Sequence, residues 1–264
     1  MKRTDLIYES ALLRDTTLQG AVSEKILFGT RYTDITVDNC ISAKHGLRKG
    51  RYLTVFTGEG DVKRCLTALL GELFLPGDAL VVGLGNGNIC SDSLGVKALA
   101  HIPATAHLSA NNDFTELGMR RVYVLEAGVT GKTGLESSSR VSCIVRHVHA
   151  NFVVAIDSLA CSGIERLCTT IQITDTGIAP GSGVGNDRKA LDLETVGVPV
   201  IAVGVPTVTD LDSIVGDVNG HGLMVTPRSI DVSVAALSRT IGEAVSGALN
   251  PSLSGEELRE LILL

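Results

Sequence analysis

Tryptophan is missing from this 264-residue chain, and tyrosine and phenylalanine supply only four and five residues. Binding single-stranded nucleic acid by stacking needs aromatic faces, so that function class is excluded. Basic charge is also short: 23 Lys and Arg face 29 Asp and Glu, a formal net charge of −6. A broad phosphate-binding footprint does not fit that balance, and no nucleic-acid partner is expected. The cysteines (Cys40, Cys65, Cys90, Cys143, Cys161, Cys168) form no CxxC pair and no regular spacing. Neither a zinc ribbon nor a disulfide framework is implied, and free thiols in a reducing compartment are expected. The run Val196 to Pro206 is far too short to cross a membrane. The chain opens on Met1-Lys2-Arg3-Thr4-Asp5 rather than an apolar run, so a soluble intracellular protein without a signal peptide is expected.

Aliphatic residues and glycine fill the space left by aromatics. Hydrophobic residues make up 44%, the mean hydropathy is +0.28, and there are 29 glycines. Such a composition buries enough apolar surface to fold, which excludes disorder. The length suits one large α/β domain. Tyr32–Val37 and Arg51–Phe56 alternate in polarity and predict antiparallel strands, with a turn at Lys49-Gly50. Val62 to Phe74 has helical spacing and stops before Pro76-Gly77. Strand, loop and helix then repeat. Strands are predicted at Ala79–Leu84, Val122–Leu125, Phe152–Ile156 and Pro199–Gly204. Helices are predicted at 92–101, 136–149, 231–249 and 255–263. Unbroken β-branched runs mark strands buried on both faces. The expectation is therefore a three-layer α/β fold, a mostly parallel sheet flanked by helices, with a small N-terminal antiparallel extension.

In such sheets ligands bind at the carboxyl ends of strands. Two acids stand there: Asp157, directly after Phe152–Ile156, and Asp92, beyond the loop Gly83–Asn88. Taken singly, Asp92 also reads as a helix N-cap, and Asp157 as a turn former or a buried acid paired with Arg166. As a pair they suit hydrolysis. Two carboxylates in one cleft share a proton, so that one activates water and the other protonates. The loop around Gly85 and Asn86 lacks the third glycine of a dinucleotide fingerprint. The loop containing Gly181 and Gly183 lacks the GK[ST] ending of a P-loop. No GxSxG elbow occurs, and no HxH or HxxxH pair lies at a strand end.

The ordered motifs are more specific than any single loop. They comprise Val81 to Asn86 through Asp92-Ser93-Leu94-Gly95, Gly128 to Glu136, Phe152 to Ala160, and Ser162 to Arg166. They continue with Thr169 to Ile178, Pro180 to Asn186, Gly197 to Val208, and Leu223 to Pro227. From about residue 79 to 228 the chain resembles the germination proteases of spore-forming bacteria. The resemblance implies an aspartic-type endopeptidase that degrades small acid-soluble spore proteins, with Asp92 and Asp157 as the catalytic acids. Gly85, Asn86, Asp175, Gly181 and Gly183 are then substrate-binding or supporting residues. It also implies a fold like that of hydrogenase maturation endopeptidases, no cofactor or metal, no membrane partner, a homotetramer, and residence in the forespore or spore core. Family members are zymogens cut at Thr, an acid, then an apolar residue. Arg3-Thr4-Asp5-Leu6 fits that pattern, so residues 1–5 are a candidate propeptide cut between Asp5 and Leu6, and 6–264 the peptidase domain. Two readings stand beside this one: a metal-dependent maturation endopeptidase using the same acids, and a non-catalytic homologue acting as a binding or assembly module. Cys90-Ser91 replaces the Thr-Pro that the family usually places before the first acid, and a long insertion after the Pro206-Thr207-Val208 segment is missing.

Overall fold

β-branched runs and glycine turns combine into one mixed sheet. The computed structural model describes residues 22–181, 189–216 and 222–263. Its strands are β1 (Val22–Leu27), β2 (Thr30–Val37), β3 (Gly50–Phe56), β4 (Ala79–Gly83) and β5 (Val122–Glu126). They continue with β6 (Phe152–Cys161), β7 (Thr170–Thr174), β8 (Val200–Asp210) and β9 (Met224–Val225). The main helices are α1 (Asn39–His45), α2 (Val62–Leu73), α3 (Leu94–Leu99), α4 (Ser137–Val148), α5 (Ile230–Leu249) and α6 (Gly255–Leu263). The sheet order is β1-β2-β3-β7-β8-β6-β4-β5, with β9 paired to β8.

β8, β6, β4 and β5 are mutually parallel. β1, β2, β3 and β7 form an antiparallel half, and β7 joins the halves by running antiparallel to both β3 and β8. The fold is thus α/β, and its N-terminal extension is continuous with the main sheet rather than a separate layer.

Alternation along the strands divides the core. Val81, Val154 and Ile156 pack with Leu66 and Leu69 of α2, Ala98 of α3, and Ile241 and Val245 of α5. The intervening Leu80, Val82, Val153 and Ala155 pack with Val141 and Val145 of α4. β4, β6 and β8 are buried on both faces, which is why they read as continuous apolar runs, while the edge strand β5 is only partly covered. Among the described residues no helix is long and apolar enough to cross a membrane.

Several boundaries differ from expectation. β2 and β3 are joined through α1 and a following loop, not by a tight Lys49-Gly50 turn. Asp38 caps α1 by accepting the Ile41 N–H at 2.8 Å, and Gly46 ends it with φ +66°. These are ordinary start and stop signals for a short helix. β6 does not stop at Asp157. It continues to Cys161 because β8 offers it a ladder partner through Thr209. The segment predicted as a helix from residue 92 is a 3₁₀ turn, Cys90–Asp92, followed by α3.

Arg120, just before β5, ties the α2–β4 loop to the end of α5. Its Nη1 donates to Leu75 O at 2.6 Å and Gly77 O at 2.7 Å, and its Nε donates to Leu249 O at 3.1 Å. One guanidinium thereby satisfies carbonyls beyond α2 and at the end of α5, while burial pulls its pKa down. Arg120→Ala strands these acceptors and is expected to destabilise the fold by about 2–3 kcal/mol. Urea denaturation checks this; a loss below about 0.5 kcal/mol would mean that water replaces the side chain.

Candidate active site

Asp157 is the sixth residue of β6 and is 4% exposed. β4 ends at Gly83, opposite Ile156, so Asp157 lies where β6 first outruns its neighbour on that side. On the other side it pairs with Gly204 of β8. Gly204 pairs with Gln172 of β7, and Gln172 with Thr54 of β3. Residues in register share a face, so Asp157, Gly204, Gln172 and Thr54 form one row across the sheet. The Ser158 N–H donates to Asp157 Oδ1 at 2.9 Å.

The segment after β4 carries the other acid to the same edge. Leu84 N donates to Ile156 O at 2.9 Å, which starts the loop beside β6. The chain turns at Gly85 (φ +93°) and comes back through Cys90–Asp92. Asn86 N donates to Asp92 Oδ2 at 2.8 Å, and Asn88 N donates to Asn86 Oδ1 at 3.1 Å. Asp92 is therefore not an N-cap: its carboxylate folds back onto the loop that precedes it. A Cβ at Gly85 would lie 2.0 Å from Asp92 O, so only glycine permits this approach.

The turn is also pinned to β8. Thr207 Oγ1 donates to Ser91 O at 2.7 Å, and Thr226 Oγ1 donates to Thr207 O at 2.8 Å. Thr207 is the extra residue of a bulge, since Leu159 pairs with Pro206 and Ala160 with Val208. Bulges commonly re-aim a side chain in this way. β4, β6 and β8 thus all contribute to holding the Asp92 turn beside the Asp157 segment.

A cleft of about 300 Å³ opens on the face bearing that row. Tyr52, Leu159, Gln172, Thr174, Ala202 and Gly204 are among its walls. Among its described lining residues Arg48 alone is charged. Its Nη1 lies 2.6 Å from Asp192 Oδ2 and donates to Thr176 O at 3.2 Å. Burial would raise the Asp192 carboxyl, but the Thr195 N–H and the Arg48 guanidinium outweigh it and hold the pKa below its ordinary value. Burial raises the Tyr52 phenol, whose hydroxyl donates to Arg48 O at 2.8 Å.

The other expected residues are spread out. Gly85 and Asn86 join Asp92 directly. Asp175 is exposed and accepts the Arg51 N–H at 2.8 Å, latching the end of β7 to the start of β3. Gly181 has φ +74° in a loop closed at its base by the Ile178–Leu191 pair. Gly183, Asp5 and Leu6 lie outside the described residues. Among the described residues no three His, Cys, Asp or Glu side chains cluster as a metal site. The cleft residues Tyr52, Gln172 and Gly204 were missed from sequence. The alternation of Thr170-Ile171-Gln172-Ile173-Thr174 was the available signal, because a glutamine on the non-core face of a central strand is unusual.

The chain matches a peptidase family model, Peptidase_A25, over residues 14–219. That model describes the germination proteases, and the chain belongs to this family. Germination proteases of Bacillus cytotoxicus (38% identical), Bacillus cereus (40%) and Bacillus mycoides (40%) align over 238 residues. Those alignments cover 81% of this chain and 65% of each relative, so the chain spans less than two thirds of their length.

Proposed function

We propose that this chain is an endopeptidase that degrades small acid-soluble spore proteins during germination, with Asp92 and Asp157 as its catalytic acids. The observation carrying this reading is the junction of β4, β6 and β8. Family membership arrives there together with an acid on β6 and an acid on a turn fastened to β4 and β8. In this reading the two carboxylates act as a pair, one ionised and one protonated. The ionised member draws a proton from water as it attacks the peptide carbonyl. The protonated member supplies one to the carbonyl oxygen or the departing amine. Gly85 and Asn86 fix Asp92, and Asp175 and Gly181 shape the frame of the cleft.

The same reading makes residues 1–5 a propeptide removed between Asp5 and Leu6. It makes residues 6–264 the peptidase domain, built on the frame of hydrogenase maturation endopeptidases. It further assigns a homotetramer working without cofactor in the forespore or spore core. The purified chain, incubated with a small acid-soluble spore protein, should cut it between the acid and the apolar residue of a Thr-Glu-Ile or Thr-Glu-Phe site. Mass spectrometry reads those products and the new N-terminus at Leu6. An intact substrate, or cleavage abolished by chelation and restored by a divalent ion, would overturn this mechanism.

A further inference from the structure

β7 presents Ile171 and Ile173 to the core shared with α2 and α5, and Thr170, Gln172 and Thr174 to the opposite face. Gln172 sits at the centre of the sheet, between β3 and β8, and is only 9% exposed. A central strand position favours β-branched or aromatic side chains, and an amide buried there is costly unless its hydrogen bonds are filled. Among the described residues its amide has one bond, from Nε2 to Thr54 Oγ1 at 3.4 Å. A primary amide can donate two hydrogen bonds and accept two, so most of that capacity remains for whatever enters the cleft that Gln172 lines.

Gly204 separates Gln172 from Asp157 in the row. A Cβ on Gly204 would lie 2.5 Å from the Leu159 side chain, so Leu159 covers the glycine and walls the cleft beside Gln172. Adjacent strands are about 4.8 Å apart, which puts the Gln172 and Asp157 backbones roughly 10 Å apart across this floor.

We propose that Gln172 is a substrate-positioning residue whose amide pairs with a main-chain peptide group of the substrate, holding the bond to be cut against Asp157. This rests on the peptidase reading above and adds to it the residue that grips the backbone. The donor and acceptor of the amide match those of a peptide group, so the contact is indifferent to the substrate's side chains. Gln172 does not take part in the proton transfers.

The test compares Gln172→Leu and Gln172→Met with the parent chain on two peptides of unrelated flanking sequence. It reads kcat and KM, and peptide affinity by fluorescence anisotropy in an Asp157→Asn background. The expected result is a rise in KM and Kd of about tenfold, equal for both peptides, with kcat lowered less and the thermal midpoint preserved. Unchanged KM and Kd in a folded variant would overturn the assignment, as would a rise confined to one peptide. Two nonpolar variants are used so that misfolding of one still leaves the other to decide. If the parent chain binds peptide without cutting it, the peptidase reading fails while a loss of affinity in Gln172→Leu still supports the grip. If the parent binds no peptide, both fail.

Discussion

Asp157→Asn and Asp92→Asn are each expected to lower kcat/KM on a spore-protein substrate by about a thousandfold or more, with little change in stability. The amide is nearly isosteric with the carboxylate, so packing around Asp157 should survive. An asparagine oxygen can still accept the Ser158 N–H that Asp157 accepts at 2.9 Å. At residue 92 it can likewise accept the Asn86 N–H that Asp92 accepts at 2.8 Å. What is lost is the ability to take up or give a proton. The double variant should be scarcely worse than either single one, because groups that act as a unit are not additive. Peptide cleavage followed by mass spectrometry, with a thermal melt as control, checks this. A folded single variant retaining a tenth of the parent activity would remove that acid from the mechanism.

Gly85→Ala is the substitution expected to do most damage to the frame of the site. Two independent obstacles meet there. The backbone has φ +93°, and the added methyl carbon would sit 2.0 Å from Asp92 O and 2.9 Å from Asp92 Oδ1. The methyl meets backbone, so no side-chain rotation relieves the contact, and the return of the chain to Asp92 must be rebuilt. A stability loss of about 3–5 kcal/mol is expected. Any folded fraction should cleave substrate at least about a hundredfold more slowly, since small displacements of catalytic groups are heavily penalised. Gly87→Ala in the same loop is the control. Its nearest contact would be Val96 Cγ1 at 3.3 Å, with no positive φ to forbid it. Similar urea midpoints for the two variants would show that the Gly85 turn does not define the site.

The parallel half of the sheet was plain in the sequence because its central strands are buried on both faces. The runs at Ala79–Gly83 and Phe152–Ile156 carry that double burial in their composition. α2 and α5 were equally legible, each displaying an apolar stripe toward one core. β1 was not, because Ser23, Glu24, Lys25 and Ile26 are exposed on an edge strand and nothing forces them to alternate. The length of β6 was hidden for a different reason. Asp157 and Ser158 look like strand breakers locally, and only the eleven-residue β8 beside them explains why pairing continues. Asp92 and Asp157 could be singled out as acids following apolar runs. The contacts fastening the Asp92 turn could not, since they join residues 91 and 207, far apart in the chain. Asp175 shows the limit from the other side: its motif is conspicuous, yet its carboxylate secures the Arg51 backbone rather than meeting the two acids.

Thr207 interrupts the pairing of β6 with β8, and its hydroxyl reaches Ser91 only because it does so. Deleting that one residue would make the ladder continuous. Val208 and Thr209 would keep their partners on β6, but the turn bearing Asp92 would lose its tether. A length change of a single residue would therefore improve the regularity of the sheet while dismantling the edge where the acids stand. Comparison of natural variants by gap position, rather than by residue identity, is where that constraint would be visible.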